Sequence, residues 1–285
     1  MRFAPGEQFR HLEIGDVIGR GAFATVFLAR DTLVDRTVAL KVVRMEPSSN
    51  TEVKRRLIVR EARLAGRLSS PHIVTVYHLY DLGTHGLVIE MEYVDGRTLG
   101  KNLRDRGALP LAESLRILRG VLSALEAAHE NDVVHRDVKP GNVLLGKNGA
   151  IKLTDFGLSL SLAEQTRSRG ATDGMVGTPQ YVAPEVIKGR RAGPAGDIWS
   201  AGVLAYRMVS GRLPFAGDTL PELFEQIQFA EPAPTDADIP KGLEALIQDC
   251  LAKDPHDRPK SCAHLLAHLE DVSPAPTTSS ARSRR

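Results

Sequence analysis

The stretch from Val133 to Gly157, VVHRDVKPGNVLLGKNGAIKLTDFG, sets polar side chains among short apolar runs. The runs VV, VLL and IKL have the β-branched and apolar make-up of short buried strands. A carboxylate beside such runs is expensive unless it is paired or bound to metal, so Asp137 and Asp155 need a chemical reason. His135, Arg136, Lys139 and Asn142 crowd the same stretch, and Phe156-Gly157 follows Asp155. These residue types suit phosphoryl transfer: Asp137 to orient a hydroxyl, Asn142 and Asp155 to hold magnesium on nucleotide phosphates.

Phosphates also need a cradle, and the chain offers one near its start. Leu12, Ile14, Val17 and Ile18 lead into Gly19-Arg20-Gly21-Ala22-Phe23-Ala24-Thr25-Val26. Strand, glycine turn, strand is the reading, and two close glycines let backbone N–H groups approach an anion. A full G-x-G-x-x-G pattern would have glycine where Ala24 stands, and a plain hairpin turn fits as well. A dinucleotide-binding loop is excluded, because that loop opens a helix whereas Val26–Ala29 continues as strand. The next strand, Thr37–Val43, carries Lys41 opposite the Leu40 face. Residues 51–68 form a charged helix with Val53, Leu57, Glu61, Leu64 and Leu68 on one stripe. Glu61 interrupts that stripe, and a carboxylate on an inward face wants a cation, for which Lys41 is the candidate.

Two strands follow, at about 74–80 and 86–91, and Gly96 marks a bend out of the sheet. Helices then dominate: a short one to Arg106, a long one from Leu111 to Glu130, and a densely apolar one from Asp197 to Val209. Further helices span Leu220–Gln228, Lys241–Ala252 and Ser261–Leu269. Residues 158–180 are rich in Ser, Thr, Arg and Gly, long for an ordinary loop and therefore functional or disordered. The expected organisation is α+β and bilobal. It comprises a lead-in at 1–11, a small β-rich lobe at 12–94 with one main helix, a larger helical lobe at 95–271, and a disordered tail or linker at 272–285.

The 285 residues suffice for a substantial core, and a net charge of +2 is too small to imply nucleic acid. Cys250 and Cys262 lack the neighbours of a metal knuckle and read as reduced thiols of a cytosolic protein. Ala201–Val209, the best apolar stretch, is interrupted by Arg207 and too short to cross a bilayer. The expected location is the cytoplasm, including as the cytosolic domain of a longer, anchored chain.

Over about residues 12–269 the sequence resembles the eukaryotic-type serine/threonine protein kinases, most of all the bacterial members. The resemblance rests on an ordered set: GRGAFATV, VALK with Lys41, Glu61 on its helix, HRDVKPGN, DFG, GTPQYVAPE, DIWS and the late Arg258. It implies ATP and magnesium, with manganese as the other admissible ion, and transfer of the γ-phosphoryl group to serine or threonine of protein substrates. Lys41, held by Glu61, would pair with the phosphates beneath Gly19 and Gly21, and Lys139 would offset charge on the moving phosphoryl. Ile18, Val26 and Ala39 would roof the adenine, Leu144 would floor it and Met91 would guard the back, with main-chain groups of Glu92 to Val94 on the adenine edge.

The resemblance further implies packing roles for His135 and Phe156, a structural Asp197, and a buried Glu185–Arg258 pair. It makes Arg136 a clamp for a phosphorylated loop residue, with Thr166, Ser168 and Thr172 as acceptors. Thr178 would instead contact Asp137 and Lys139. It also implies loop autophosphorylation, with self as a partner in a transient homodimer. Two alternatives stand beside this reading: a catalytically weak scaffold of the same fold, and a small-molecule kinase. The presence of Lys41, Asp137 and Asp155 weighs against the first, and the peptide-docking segment GTPQYVAPE against the second.

Overall fold

A computed structural model describes residues 3–21, 24–45, 51–83, 86–156 and 178–272. Ala22 and Phe23, Gly157, the loop with Thr166, Ser168 and Thr172, and the tail from 273 lie outside the described residues.

The first part is an antiparallel sheet of β1 (Gln8–Phe9), β2 (Leu12–Arg20), β3 (Ala24–Asp31), β4 (Arg36–Val43), β5 (Val76–Asp81) and β6 (Leu87–Glu92), in the order β1-β2-β3-β4-β6-β5. Strand period assigns the faces. Phe27, Ala29, Val38, Leu40, Val42 and Val88 pack on the back of the sheet. Lys41 belongs to the opposite face, in register with Val26 on β3 and Ile89 on β6. Gly86, at φ +120°, opens β6; a side chain there would meet the Val43 carbonyl.

Helix α1 (Thr51–Ala65) covers the Lys41 face through Ile58 and Ala62, which pack on Val43, Leu87 and Ile89. Of the expected stripe, Leu68 is buried and Leu64 packs on the core, but Val53 is 54% exposed and the positions facing the sheet are Ile58 and Ala62. Both faces recur at helical spacing, and the sheet takes the one whose small Ala62 permits close approach. Glu61 is left at the edge of the contact.

The second part holds a three-stranded sheet, β7 (Gly96–Thr98), β8 (Val143–Gly146) and β9 (Ile151–Leu153). Gly96 is thus not a bend outside a sheet but a strand residue pressed on β8, where a Cβ would collide with the Leu145 carbonyl. Around it run α2 (Leu99–Arg106), α3 (Leu111–His129), α4 (Pro184–Ile187), α5 (Pro194–Ser210), α6 (Leu220–Phe229), α7 (Lys241–Cys250) and α8 (Cys262–Val272). Helix α3 buries Leu115, Leu118, Leu122, Leu125 and Ala128, the expected stripe. Helix α5 is buried on all sides, with Trp199 and Tyr206 inside the largest core cluster. Cys250 and Cys262 are free and buried, and burial pushes the Cys250 thiol up to about 12.

Glu185 on α4 and Arg258 form a buried two-pronged pair at 2.9 and 2.8 Å. The guanidinium also donates to the carbonyls of Ala252, Ala195 and Lys253 and lies 5.0 Å from the centre of the Trp199 ring. Every donor direction is therefore occupied, which is what makes a buried cation tolerable. Glu185→Ala would strand that cation and should lower unfolding free energy by about 3–5 kcal/mol. Denaturant titration checks this, and a loss below about 1 kcal/mol would mean the pair contributes no more than a surface bridge.

Candidate active site

The site begins with a buried carboxylate. Asp197, 1% exposed in the first turn of α5, accepts the backbone N–H groups of His135 at 2.8 Å and Arg136 at 2.7 Å. The helix N-terminus favours negative charge there. The ring of His129, which sequence reasoning did not single out, also bonds Asp197 at 2.8 Å. Arg136 is held at φ +66°, a left-handed conformation that costs a non-glycine residue about 1 kcal/mol or more. The two bonds to Asp197 hold the loop in it.

His135 is fully buried, bonds the Thr154 carbonyl at 2.9 Å and packs 4.5 Å from the Phe156 ring. It has the packing role expected of it.

Asp137 then projects from the loop while Val138 turns into the core. Lys139 grips both Asp137 oxygens, at 2.9 and 2.7 Å, and the Asn142 amide nitrogen donates to Oδ2 at 2.9 Å and to the Asp137 carbonyl at 2.8 Å. With its nitrogen committed, Asn142 keeps Oδ1 as the atom for a hard cation.

Asp155, at φ +67°, accepts a 2.6 Å hydrogen bond on Oδ1 from Lys41. Burial opposes ionisation of Asp155, but the charge and hydrogen bond of Lys41, aided by His135 and Lys139, hold its carboxyl below the ordinary range. The expected Lys41–Glu61 pair is therefore not the one formed. Glu61 lies 3.7 Å from the Arg136 guanidinium instead. The physical reason is competition: Asp155 offers Lys41 a closer oxygen, and Arg136 offers Glu61 a cation at the edge of α1.

These groups border a cavity of about 1100 Å³ between the sheet and the helical part. Of the residues expected at the nucleotide site, Ile18, Gly19, Gly21, Val26, Ala39, Lys41, Met91, Glu92, Val94 and Leu144 line it, together with Asp137, Lys139, Asn142 and Asp155. Glu61 does not. Ala39, Val74 and Met91 form one apolar cluster with Val26, Val94 and Leu144. The Glu92 carboxylate faces Lys152 at 3.0 Å and the Thr75 N–H at 3.2 Å. Val74 was missed by sequence reasoning, although its place at the end of the apolar run after Pro71 was a usable signal. Thr178 lines the same cavity as Asp137 and Lys139.

A second carboxylate cluster, Asp31 and Glu90 with His11, sits behind the sheet. Arg36 neutralises it by reaching both acids, at 3.4 and 3.2 Å.

Comparison with known proteins gives a consistent picture. Residues 12–269 match the family model described as the protein kinase domain. The chain is 36% identical over 256 residues to serine/threonine-protein kinase PksC of Streptomyces coelicolor, covering 86% of this chain and 46% of that one. It is 35% identical over 259 residues to PrkC of Bacillus subtilis, covering 89% of this chain and 39% of that one. It thus spans less than half the length of these relatives. The crystallised PknI kinase domain of Mycobacterium tuberculosis, a cysteine-to-alanine mutant, superposes with a TM-score of 0.73 at 28% identity, over 95% of this chain and 99% of that one. The fold is the bilobal protein kinase fold.

The Lys41–Asp155 pair carries a pH signature. A depressed folded pKa stabilises above the unfolded carboxyl value of about 3.9 and loses that contribution as pH falls through the folded value. Lys41→Met removes the charge responsible, so the Asp155 carboxyl should titrate at higher pH in the variant than in wild type. Carboxyl carbon NMR reads this directly; coincident titration curves would show that Lys41 does not set the shift.

Proposed function

The chain belongs to the protein kinase domain family, and we propose from that premise that it transfers the γ-phosphoryl group of ATP to serine and threonine hydroxyls of polypeptides. The observation that carries this reading is the convergence of Lys41, Asp137, Asn142 and Asp155 on one cavity. Asp137 accepts or orients the acceptor hydroxyl, at a carboxylate already aimed by Lys139 and Asn142. Lys139 sits where its ammonium offsets charge on the transferred group, the role it has in kinases acting on serine and threonine. The backbone at Gly19 and Gly21 covers the phosphates, and the apolar cluster of Ala39, Met91 and Leu144 receives the adenine.

Asn142 Oδ1 and the Asp155 carboxylate are hard oxygen donors of the kind a magnesium or manganese ion requires; they would hold the ion, which would supply neutralisation of phosphate charge. Positioning and electrostatics carry the rate, with no covalent link to the protein. In this reading Lys41 exchanges Asp155 for the nucleotide phosphates, and Glu61 leaves Arg136 to hold Lys41. Arg136 is then released to take a phosphorylated residue of the 159–178 loop with its guanidinium fork. The same reading has the loop autophosphorylated between copies of the chain, on Thr166, Ser168 or Thr172. Among the described residues no helix is long and apolar enough to cross a membrane.

Asp137→Asn tests the assignment. The variant should keep the fold and nucleotide affinity while phosphate transfer to a generic protein acceptor falls by about 100-fold or more. Peptide mapping after incubation with ATP and magnesium should locate phosphate within residues 159–178 of wild type and none in the variant. Near-normal turnover by Asp137→Asn would remove that residue from the mechanism.

A further inference from the structure

Beside Lys139 a second cavity, of about 380 Å³, opens between α2 and α5. Its cations among the described residues are Arg104 from α2, Lys139 from the catalytic loop and Arg207 from the last turn of α5, and no described aspartate or glutamate lines it. Lys139 is committed to Asp137. Arg104 and Arg207 engage no carboxylate among the described residues.

Arg207 is the more telling of the two, because it is half-buried in an otherwise buried helix. A half-buried guanidinium that faces a cavity and meets no described carboxylate is free to pair with an incoming anion. The group that feels its charge is Tyr181, which lines the same cavity and whose hydroxyl burial pushes up to about 12 against the opposing pull of Arg207.

A second, independent feature points to a polypeptide. Gln180 lines the cavity, and its Oε1 is buried without a hydrogen-bond partner. In either orientation of the side-chain amide, that buried end calls for a main-chain N–H or C=O to complete it. Two guanidinium groups that meet no described carboxylate, and one unsatisfied amide, in a slot beside Asp137 are what an extended peptide with an acidic side chain would satisfy.

We propose that Arg207, assisted by Arg104, is a specificity-determining residue that selects an aspartate or glutamate close to the acceptor hydroxyl, making acidic polypeptides the preferred substrates. This rests on the protein kinase reading of the neighbouring site. A cavity of this volume is about 9 Å across, two to three residues of extended chain at about 3.3 Å each, which sets the separation between the acidic residue and the acceptor. Arginine suits the task because its fork meets a carboxylate with two parallel hydrogen bonds.

The test is a set of threonine peptides in an alanine background, carrying one Glu or one Lys at each position from three before to three after the acceptor. For wild type, Glu at a position two or three residues away should raise kcat/KM about tenfold or more over alanine, chiefly through KM. Arg207→Glu should abolish that gain and favour Lys at the same position, while its kcat/KM on the all-alanine peptide stays within about twofold of wild type. Arg207→Gln, which keeps size and polarity, should abolish the gain without creating the Lys preference. Equal rates for Glu, Ala and Lys peptides with wild type would overturn the selection, as would a uniform loss on every peptide in both variants. If the alanine peptide is phosphorylated and charge makes no difference, the selection alone falls. If no peptide or protein accepts phosphate, the kinase reading falls and the selection with it.

Discussion

One carboxylate holds the catalytic loop in place. Asp197, sealed in the first turn of α5, takes two successive backbone N–H groups and one imidazole, and all three come from the end of α3 and the loop that follows it. A charge so deeply buried is stable only because three donors and a helix N-terminus face it. Those bonds hold Arg136 in a left-handed conformation and so fix the direction in which Asp137 leaves the chain. The most buried helix of the protein thereby becomes the reference frame for the most polar loop.

From that frame the other charges distribute themselves by proximity. Lys41 and Asp155 come from parts of the chain 114 residues apart and meet at 2.6 Å, while Glu61 and Arg136 form a looser pair at 3.7 Å. Two cations and two anions can pair in two ways, and the arrangement seen differs from the one that the family resemblance implied. Lys139 and Asn142 differ in kind: both grip Asp137 within the same short loop, so their geometry follows from local chain direction. Pairs that bridge the two lobes depend on how those lobes stand, and pairs inside one loop do not.

Legibility in the sequence follows the same division. The strands bearing Lys41 and the stripe of α3 were readable because period 2 and period 3.6 leave a mark on the residues themselves. The face that α1 turns to the sheet was not, since Val53-Leu57-Glu61 and Ile58-Ala62 both satisfy helical spacing and only the sheet chooses between them. Gly96 was recognised as special but read as a bend, because a missing side chain looks alike in a turn and in a close strand crossing. His129 was overlooked for a related reason: a histidine at a helix end carries no local sign of what it will touch.

The sequence by itself determined the family, the order of elements, and which side chains could perform phosphoryl transfer, since motif chemistry and hydrophobic period are properties of the chain. Only the tertiary structure decided which carboxylate Lys41 meets, what Glu61 leans on, and that Arg104 and Arg207 share one slot without an acid among the described residues. Electrostatic partnership falls steeply with distance and with the water left between groups. Residues far apart in the chain acquire those distances only once the two lobes are packed.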